Sequence, residues 1–375
     1  MFRVIGVVLF YFAYGCYYVL LKPRFIDLNA SYFQILLIDS LPALVALTSI
    51  LWGRLADIIS RRVFLFLSAL GGVVIVSFAY FNSIFSLLTL LGILSIFSSM
   101  AIPVINALFS FEEEVEKSFA SYLLAEAMGW SISGVFMGIF SKSTFTVRIA
   151  YWIAGISWIF GILILAMDYH DGSSYSHKES SKYRPSVPFI FLMAAILFLE
   201  FGIVTSYGVL SVKLYETLNK SRLLYGIFWA TLPSIASVLV SKPYGDLIKR
   251  ITPWNSLILI AAVYMINIIL LMFSKGFLMA FLWILPLWNF VYIALYSSVS
   301  KLTEEEHRAT GFGITNSILN LAMVLSAFGG YFSDKYGRNA GILMGVSTIF
   351  VATILFFVVK GLVKNLLNDC DKFLT

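Results

Sequence analysis

Three carboxyl groups stand within long apolar segments of the sequence, where they can bind a proton or the cationic group of a solute. Glu126 lies about eight residues into one apolar run, and Glu200 lies in the middle of another. Asp39 lies about eight residues into a third run, one turn before Pro42. Eight helical residues rise ~12 Å, which is close to the midplane of a hydrocarbon core about 30 Å thick. We therefore expect Asp39, Glu126 and Glu200 on the pathway of a solute or a proton.

Each of these carboxyl groups also has a structural interpretation, in which it is neutral or hydrogen-bonded and holds helices together. Asp39 could instead pair with Arg24 or Arg148 at the outer rim of the membrane. Burial away from water favours the protonated form of a carboxyl group, and this property suits proton exchange. We favour the functional interpretation for Glu126 and Glu200 and keep Asp39 as a third candidate.

Four asparagines form a second group of candidates for the solute pathway. Asn106 and Asn289 each follow a proline at the spacing Pro-x-x-Asn, and Asn316 and Asn320 lie one helical turn apart. A proline frees a backbone carbonyl, and the asparagine amide offers both a donor and an acceptor. These groups can hydrogen-bond a polar solute.

Tyrosines accompany the carboxyl groups at helical spacing. Tyr207 lies on the same face as Glu200, and Tyr14 belongs to a ladder with Tyr11 and Tyr18. An aromatic stripe serves packing more often than ligand contact, so both interpretations of the ladder stay open.

Basic residues are missing from the middle of every predicted apolar segment. A strongly anionic solute would require a fixed positive partner at that depth, so phosphate esters and dicarboxylates are disfavoured. The acidic and aromatic candidates instead favour a cationic, neutral polar or amphipathic solute.

The elements that position these residues are membrane-spanning helices. The chain of 375 residues is 60% hydrophobic and 12% charged, whereas soluble domains are about half apolar and a quarter charged. A spanning helix needs roughly 17–25 apolar residues and satisfies its own backbone hydrogen bonds. We predict an all-α membrane protein with twelve spans, at 4–21, 31–52, 63–81, 84–109, 118–140, 148–167, 187–211, 223–241, 254–273, 277–300, 309–332 and 339–360.

The chain divides at its longest polar segment into 1–167, a cytoplasmic linker 168–186, and 187–375. Landmarks recur between the two larger parts at offsets of 189 to 192 residues. The pairs are Leu28–Ser31 with Leu218–Ser221, Asp57 and Arg61 with Asp246 and Arg250, Pro42 with Pro233, and Glu112–Glu114 with Glu304–Glu306. The repetition indicates two homologous six-helix halves. Helix capping by Ser31 and Ser221 explains the two Asn-x-Ser sequences better than glycosylation does.

The charge distribution predicts the orientation. With the N-terminus inside, 16 of the 26 Lys and Arg residues fall on the cytoplasmic side. We expect a multi-pass protein of the cytoplasmic membrane with both termini in the cytoplasm.

A polar island, Trp52–Phe66, separates the second and third predicted spans. It contains Gly53, Asp57, Arg61 and Arg62, and the spacing of Asp57 and Arg61 allows them to pair on a helix. The stretch from Gly53 to Arg62 resembles the loop signature of the major facilitator superfamily of secondary transporters, with Ser60 where that family usually has a second glycine. The resemblance implies two pseudo-symmetric six-helix bundles that rock about a central solute site.

The same resemblance places this loop at a cytoplasmic gate. We predict that Arg61 or Arg62 pairs with the acidic cluster that includes Glu112, and that Lys249 or Arg250 pairs with the cluster that includes Glu304. The alternative is a solvated charged loop, in which each pair contributes under ~1 kcal/mol.

These observations predict a secondary transporter of a small organic solute that is coupled to H⁺ and uses no cofactor. The alternatives are a facilitative uniporter or a sugar or metabolite symporter of the same fold, a channel, and a non-transporting receptor or intramembrane enzyme. The sequence has no catalytic, metal-binding or ATP-binding motif. Its basic residues are scattered, so a nucleic-acid partner is excluded. The expected partners are the solute, H⁺ and the lipid bilayer. We expect the chain to be monomeric.

Overall fold

The computed structural model describes residues 2–110, 115–141, 143–168, 184–303 and 308–372. The first part of the chain contains eight helices: α1 Phe2–Asp27, α2 Tyr32–Ala46, α3 Ser49–Ile58, α4 Arg61–Ser68, α5 Gly71–Ser77, α6 Ile84–Ser110, α7 Val115–Phe140 and α8 Thr144–Met167. The second part contains α9 Val187–Thr217, α10 Arg222–Gly226, a π-helical segment Ile227–Thr231, α11 Leu232–Ile251, α12 Pro253–Phe273, α13 Gly276–Trp283, α14 Leu287–Leu302, α15 Arg308–Tyr336 and α16 Arg338–Lys372.

All twelve predicted spans are helical. Ten helices in the described part of the chain are long and apolar enough to cross a membrane, counting Arg222–Ile251 and Gly276–Leu302 as single spans. The other two predicted spans correspond to α2 with α3 and α4 with α5. Their interruptions are single tightened turns, in which Thr48 N–H donates to the Val45 carbonyl at 2.9 Å and Leu70 N–H donates to that of Leu67 at 3.1 Å. The prediction of an all-α twelve-helix fold is confirmed.

The chain separates into two compact units. The first unit is Met1–Ser173 with Ser211–Val238 and Lys275–Leu285, and the second is Ser174–Leu210 with Leu239–Ser274 and Pro286–Thr375. The division into residues 1–167 and 187–375 stays a prediction.

In the first unit, α1 packs against α7 and α8, and α6 packs against α2, α4 and α5. Arg3 at the start of α1 forms an ion pair with Asp168 after α8. In the second unit, α12 packs against α14 and α16, and Ser206 Oγ on α9 donates to the Ile342 carbonyl on α16 at 3.3 Å.

The repeated loops Leu28–Ser31 and Leu218–Ser221 share a left-handed asparagine, although Lys220 of the second loop also adopts a positive φ of 54°. Asn29 and Asn219 adopt positive φ angles of 56° and 53°, a conformation that asparagine tolerates better than most residues. Ser31 Oγ accepts from Gln34 N–H, and Ser221 Oγ accepts from Leu224 N–H, each at 3.3 Å. The prediction that these serines cap helices is therefore confirmed. We call this side of the first unit the Asn29 end.

Removal of one cap gives a first prediction. Ser31→Ala should lower the free energy of unfolding by about 1 kcal/mol, because the N–H groups of the first turn of α2 lose their acceptor. The shift of the unfolding midpoint in detergent measures this loss. Ser31→Asp retains an acceptor and is the matched control; equal destabilisation by both substitutions would contradict the capping role.

Candidate functional site

Glu126 lies on α7 in the first unit, and its side chain is partly buried. It lies close enough to Tyr11 and Tyr14 of α1, and to Tyr122 one turn before it, to interact electrostatically with their hydroxyl groups. The hydroxyl groups of Tyr11 and Tyr122 share a short hydrogen bond. The predicted tyrosine ladder therefore contributes polar groups to the surroundings of Glu126 as well as packing.

Asp39 is held by an ion pair that the sequence analysis did not anticipate. Lys22 Nζ lies 2.7 Å from Asp39 Oδ2, and Tyr18 Oη donates a short hydrogen bond to Asp39 Oδ1. The side chains of Lys22 and Asp39 are only 6% and 11% exposed. This pair therefore has little access to water.

The two proposed partners of Asp39 make other contacts, so pairing with either of them is wrong. Arg24 donates to the Phe78 carbonyl at 2.7 Å and to Asn82 Oδ1 at 2.6 Å. The guanidinium group of Arg148 lies over the ring of Tyr80, 5.5 Å from its centroid.

The predicted absence of basic residues from the middle of every span did not anticipate Lys22, which lies near the end of α1. The predicted first span ends at residue 21, one residue before Lys22. Instead, α1 continues through Pro23 to Asp27. Lys22 thus lies within a membrane-spanning helix and is 5% exposed.

An aromatic cluster lies beside this ion pair, and we define it as Tyr14, Tyr18, Trp130, Tyr225 and Trp229. Trp229 of the π-helical segment stacks on Tyr18 and Tyr225, with centroid distances of 5.7 and 6.0 Å. Trp130 packs edge-on against Tyr14 and Tyr18. The periodicity of a single helix cannot predict this cluster, because its members come from three distant parts of the chain.

The second unit contains another carboxyl candidate, Glu200, which forms no ion pair with the residues that the structure describes. It is 7% exposed on α9 and interacts electrostatically with Tyr264 of α12. The rings of Tyr264 and Tyr207 pack edge-on at 6.0 Å, and Asn267 Nδ2 donates to Tyr207 Oη at 2.6 Å. Asn267 Oδ1 is buried and has no hydrogen-bond partner among the described residues. Asn267 and Tyr264 were not among the predicted site residues, although an asparagine inside an apolar run is a detectable signal.

The four predicted asparagines are not brought together in one described cluster. Asn106 belongs to the first unit, and its Oδ1 is buried without a hydrogen-bond partner in the described part. In the second unit, Asn289 Nδ2 donates to Ser241 Oγ at 3.0 Å, and Asn316 Oδ1 accepts from Tyr296 Oη at 3.4 Å. Asn320 lies on the same helix, α15, and is partly buried.

The polar island is described only in part. The helix breaks between Ile58 and Arg61, and the exposed Arg62 lies over the ring of Phe66 at 5.7 Å. Asp246 and Arg250 are exposed near the end of α11. Glu112, Glu304, and the side chains around Gly53 and Asp57 lie outside the described residues, so the predicted gate pairs stay predictions.

Comparison with known proteins places these observations in a wider group. The sequence profile described as Major Facilitator Superfamily matches residues 4–327. Multidrug resistance protein MdtG of Proteus mirabilis (strain HI4320) is 26% identical over 227 residues. That match covers 57% of this chain and 56% of the relative, so the chain spans a little over half the length of the curated relative that it matches.

Solved structures share the fold at low sequence identity. A crystal structure of the nucleoside transporter NupG is 13% identical, with a TM-score of 0.72 over 97% of this chain and 98% of that one. A bacterial homolog of the human lysosomal transporter Spinster is 15% identical, with a TM-score of 0.76 over 96% of this chain and 95% of that one. These likenesses show the fold.

Proposed function

Because the chain belongs to the Major Facilitator Superfamily, we propose that it is a secondary transporter that couples movement of a small organic solute to H⁺. The solute is cationic, neutral polar or amphipathic, and it crosses the cytoplasmic membrane by alternating access through a monomer whose termini are cytoplasmic. The observation that carries the proposal is Glu126, a carboxyl group within a spanning helix and beside tyrosine hydroxyl groups.

The three carboxyl candidates differ in their partners, and this difference supports proton coupling. Asp39 has a fixed counter-ion, Lys22. In contrast, neither Glu126 nor Glu200 belongs to an ion pair with another described residue. A carboxyl group without a counter-ion in a low-dielectric environment binds a proton readily. Glu126 is therefore the first candidate for the proton site and Glu200 is the second.

Contacts at the Asn29 end of the first unit support alternating access. Arg222 Nη2 lies 2.7 Å from Asp27 Oδ2, and Tyr215 Oη lies 3.4 Å from both Asp27 carboxylate oxygens. Asp27 and Arg222 are 31% and 32% exposed, and ion pairs with such exposure contribute only about 0–1 kcal/mol. These contacts are weak enough to break and re-form in each transport cycle.

The class of solute rests on the aromatic cluster and on the relative. Aromatic rings next to acidic groups suit molecules with an apolar body and a polar or cationic group. The relative is named as a multidrug resistance protein, and this name agrees with an amphipathic solute.

Transport in reconstituted vesicles tests the proposal. An imposed pH gradient should drive accumulation of at least one member of a panel of cationic, neutral polar and amphipathic solutes, and the uptake should saturate and show counterflow. Uptake that saturates but does not respond to the gradient would instead establish facilitative uniport. Uptake without saturation or counterflow would establish a channel.

A further inference from the structure

We propose that Lys22 and Asp39, together with the rings of Trp130 and Trp229, bind a zwitterionic solute that carries an ammonium group, a carboxylate group and an aromatic body. This inference deepens the proposed function and rests on it, since it names the chemical class of the transported solute.

Burial of charge is the first argument. In the described part of the chain, the only charged residues that are buried are Lys22, which is 5% exposed, and Glu200, which is 7% exposed. A charged group within a spanning helix is costly, and such groups usually bind a substrate or an ion. Packing alone does not explain the ion pair between Lys22 and Asp39. Hydrophobic residues of similar volume often replace a buried ion pair without loss of stability.

The balance of charge is the second argument, and it selects a zwitterion. The ammonium of Lys22 and the carboxylate of Asp39 neutralise each other at 2.7 Å. A solute with one positive or one negative charge would leave an uncompensated charge in this low-dielectric environment, at a high energetic cost. A zwitterion lets its carboxylate pair with Lys22 and its ammonium pair with Asp39, so the site stays neutral.

The hydrogen-bonding capacity of the pair is the third argument. An ammonium group has three donors, and a carboxylate has about four acceptor positions. In the structure Lys22 donates to Asp39, and Asp39 also accepts from Tyr18. Both side chains therefore have capacity left for the charged groups of a solute.

The aromatic cluster supplies the apolar part of the site. Lys22 Nζ lies 5.7 Å from the centroid of the Trp229 ring, a distance at which a cation and a ring attract each other. The rings of Trp130 and Trp229 lie 6.2 Å apart and are inclined at 59°. Such surfaces suit an aromatic body attached to the charged groups.

Three probes with one shared body test the inference: L-phenylalanine, phenethylamine and 3-phenylpropanoate. Equilibrium binding to the purified protein in nanodiscs is measured without any ion gradient. We expect the protein to bind L-phenylalanine about tenfold more tightly than either single-charge probe, because each charge-assisted contact contributes substantially to affinity. Equal binding of the three probes, or no binding of L-phenylalanine, would overturn the proposal.

Substitutions assign the preference to the ion pair. Lys22→Met should reduce L-phenylalanine affinity about tenfold and change phenethylamine affinity much less, since only the carboxylate loses its partner. Lys275→Met, at an exposed lysine of the first unit, is the matched control and should change neither. Lys22→Met combined with Asp39→Asn leaves no unpaired charge, so it guards against misfolding of the single variant. Retention of the zwitterion preference in this double variant would refute the site.

Failure of this inference is distinguishable from failure of the proposed function. Gradient-driven uptake of a solute that binds independently of Lys22 would keep proton-coupled transport and remove the zwitterion site. Lys22-dependent binding together with uptake that does not respond to the pH gradient would keep the zwitterion site and remove proton coupling.

Discussion

Glu126→Gln should abolish proton-driven accumulation while leaving counterflow intact. Glutamine has nearly the shape and hydrogen-bonding capacity of protonated glutamic acid but cannot release a proton. A variant fixed in this state can still exchange solute for solute. A gradient of one pH unit supplies ~1.4 kcal/mol per proton, enough for about tenfold accumulation at one proton per solute. We expect the accumulation ratio of the variant to fall to about one.

Two further substitutions make this experiment decisive. Glu216→Gln carries the same chemical change at an exposed position near the end of α9, and it should accumulate solute like the unsubstituted chain. Glu200→Gln examines the second candidate. Full coupling in Glu126→Gln together with loss in Glu200→Gln would move the proton site to the second unit, and full coupling in both would refute the assignment.

The second large effect is expected from Gly226→Leu, which should reduce transport more than about tenfold. A Cβ atom on Gly226 would lie 2.2 Å from the Gly134 carbonyl oxygen, far inside a van der Waals contact. The obstructing atom belongs to the backbone of α7, so no side chain can move aside. The helix Arg222–Ile251 would have to separate from α7 at the Asn29 end, and the cycle would stop with that end open.

Labelling at Thr231 reports the predicted opening. Thr231 is 8% exposed, and its Oγ1 donates to the Ser131 carbonyl at 2.8 Å. In a background with Cys16 and Cys370 replaced by serine, Thr231→Cys should react faster with a polar thiol reagent when Gly226→Leu is present. Gly313→Leu is the matched control, because its Cβ meets no atom within 4 Å. Normal transport and unchanged labelling in Gly226→Leu would contradict a closed contact at this end.

The sequence could identify the carboxyl candidates, but it could not identify their partners. The carboxyl candidates were found from their depth in apolar runs. Glu126 is partly buried and Glu200 is buried, and neither forms an ion pair within the described part of the chain, as the proton proposal requires. The alternative partners of Asp39, Arg24 and Arg148, were wrong, because the predicted first span stopped at residue 21 and left Lys22 outside it. The gate pairs with Glu112 and Glu304 stay predictions.

The sequence by itself determined the class of fold and the local geometry of its turns. Twelve apolar runs require helices, since the backbone groups in lipid must form hydrogen bonds within each segment. Ser31 and Ser221 cap helices through hydrogen bonds to residues only three positions later in the sequence. Only the tertiary structure decided that Lys22 pairs with Asp39, that Trp229 stacks on Tyr18, and that Asn267 binds Tyr207. The physical reason is range: hydropathy and capping depend on neighbours within a turn, whereas these contacts depend on how distant helices are rotated against one another.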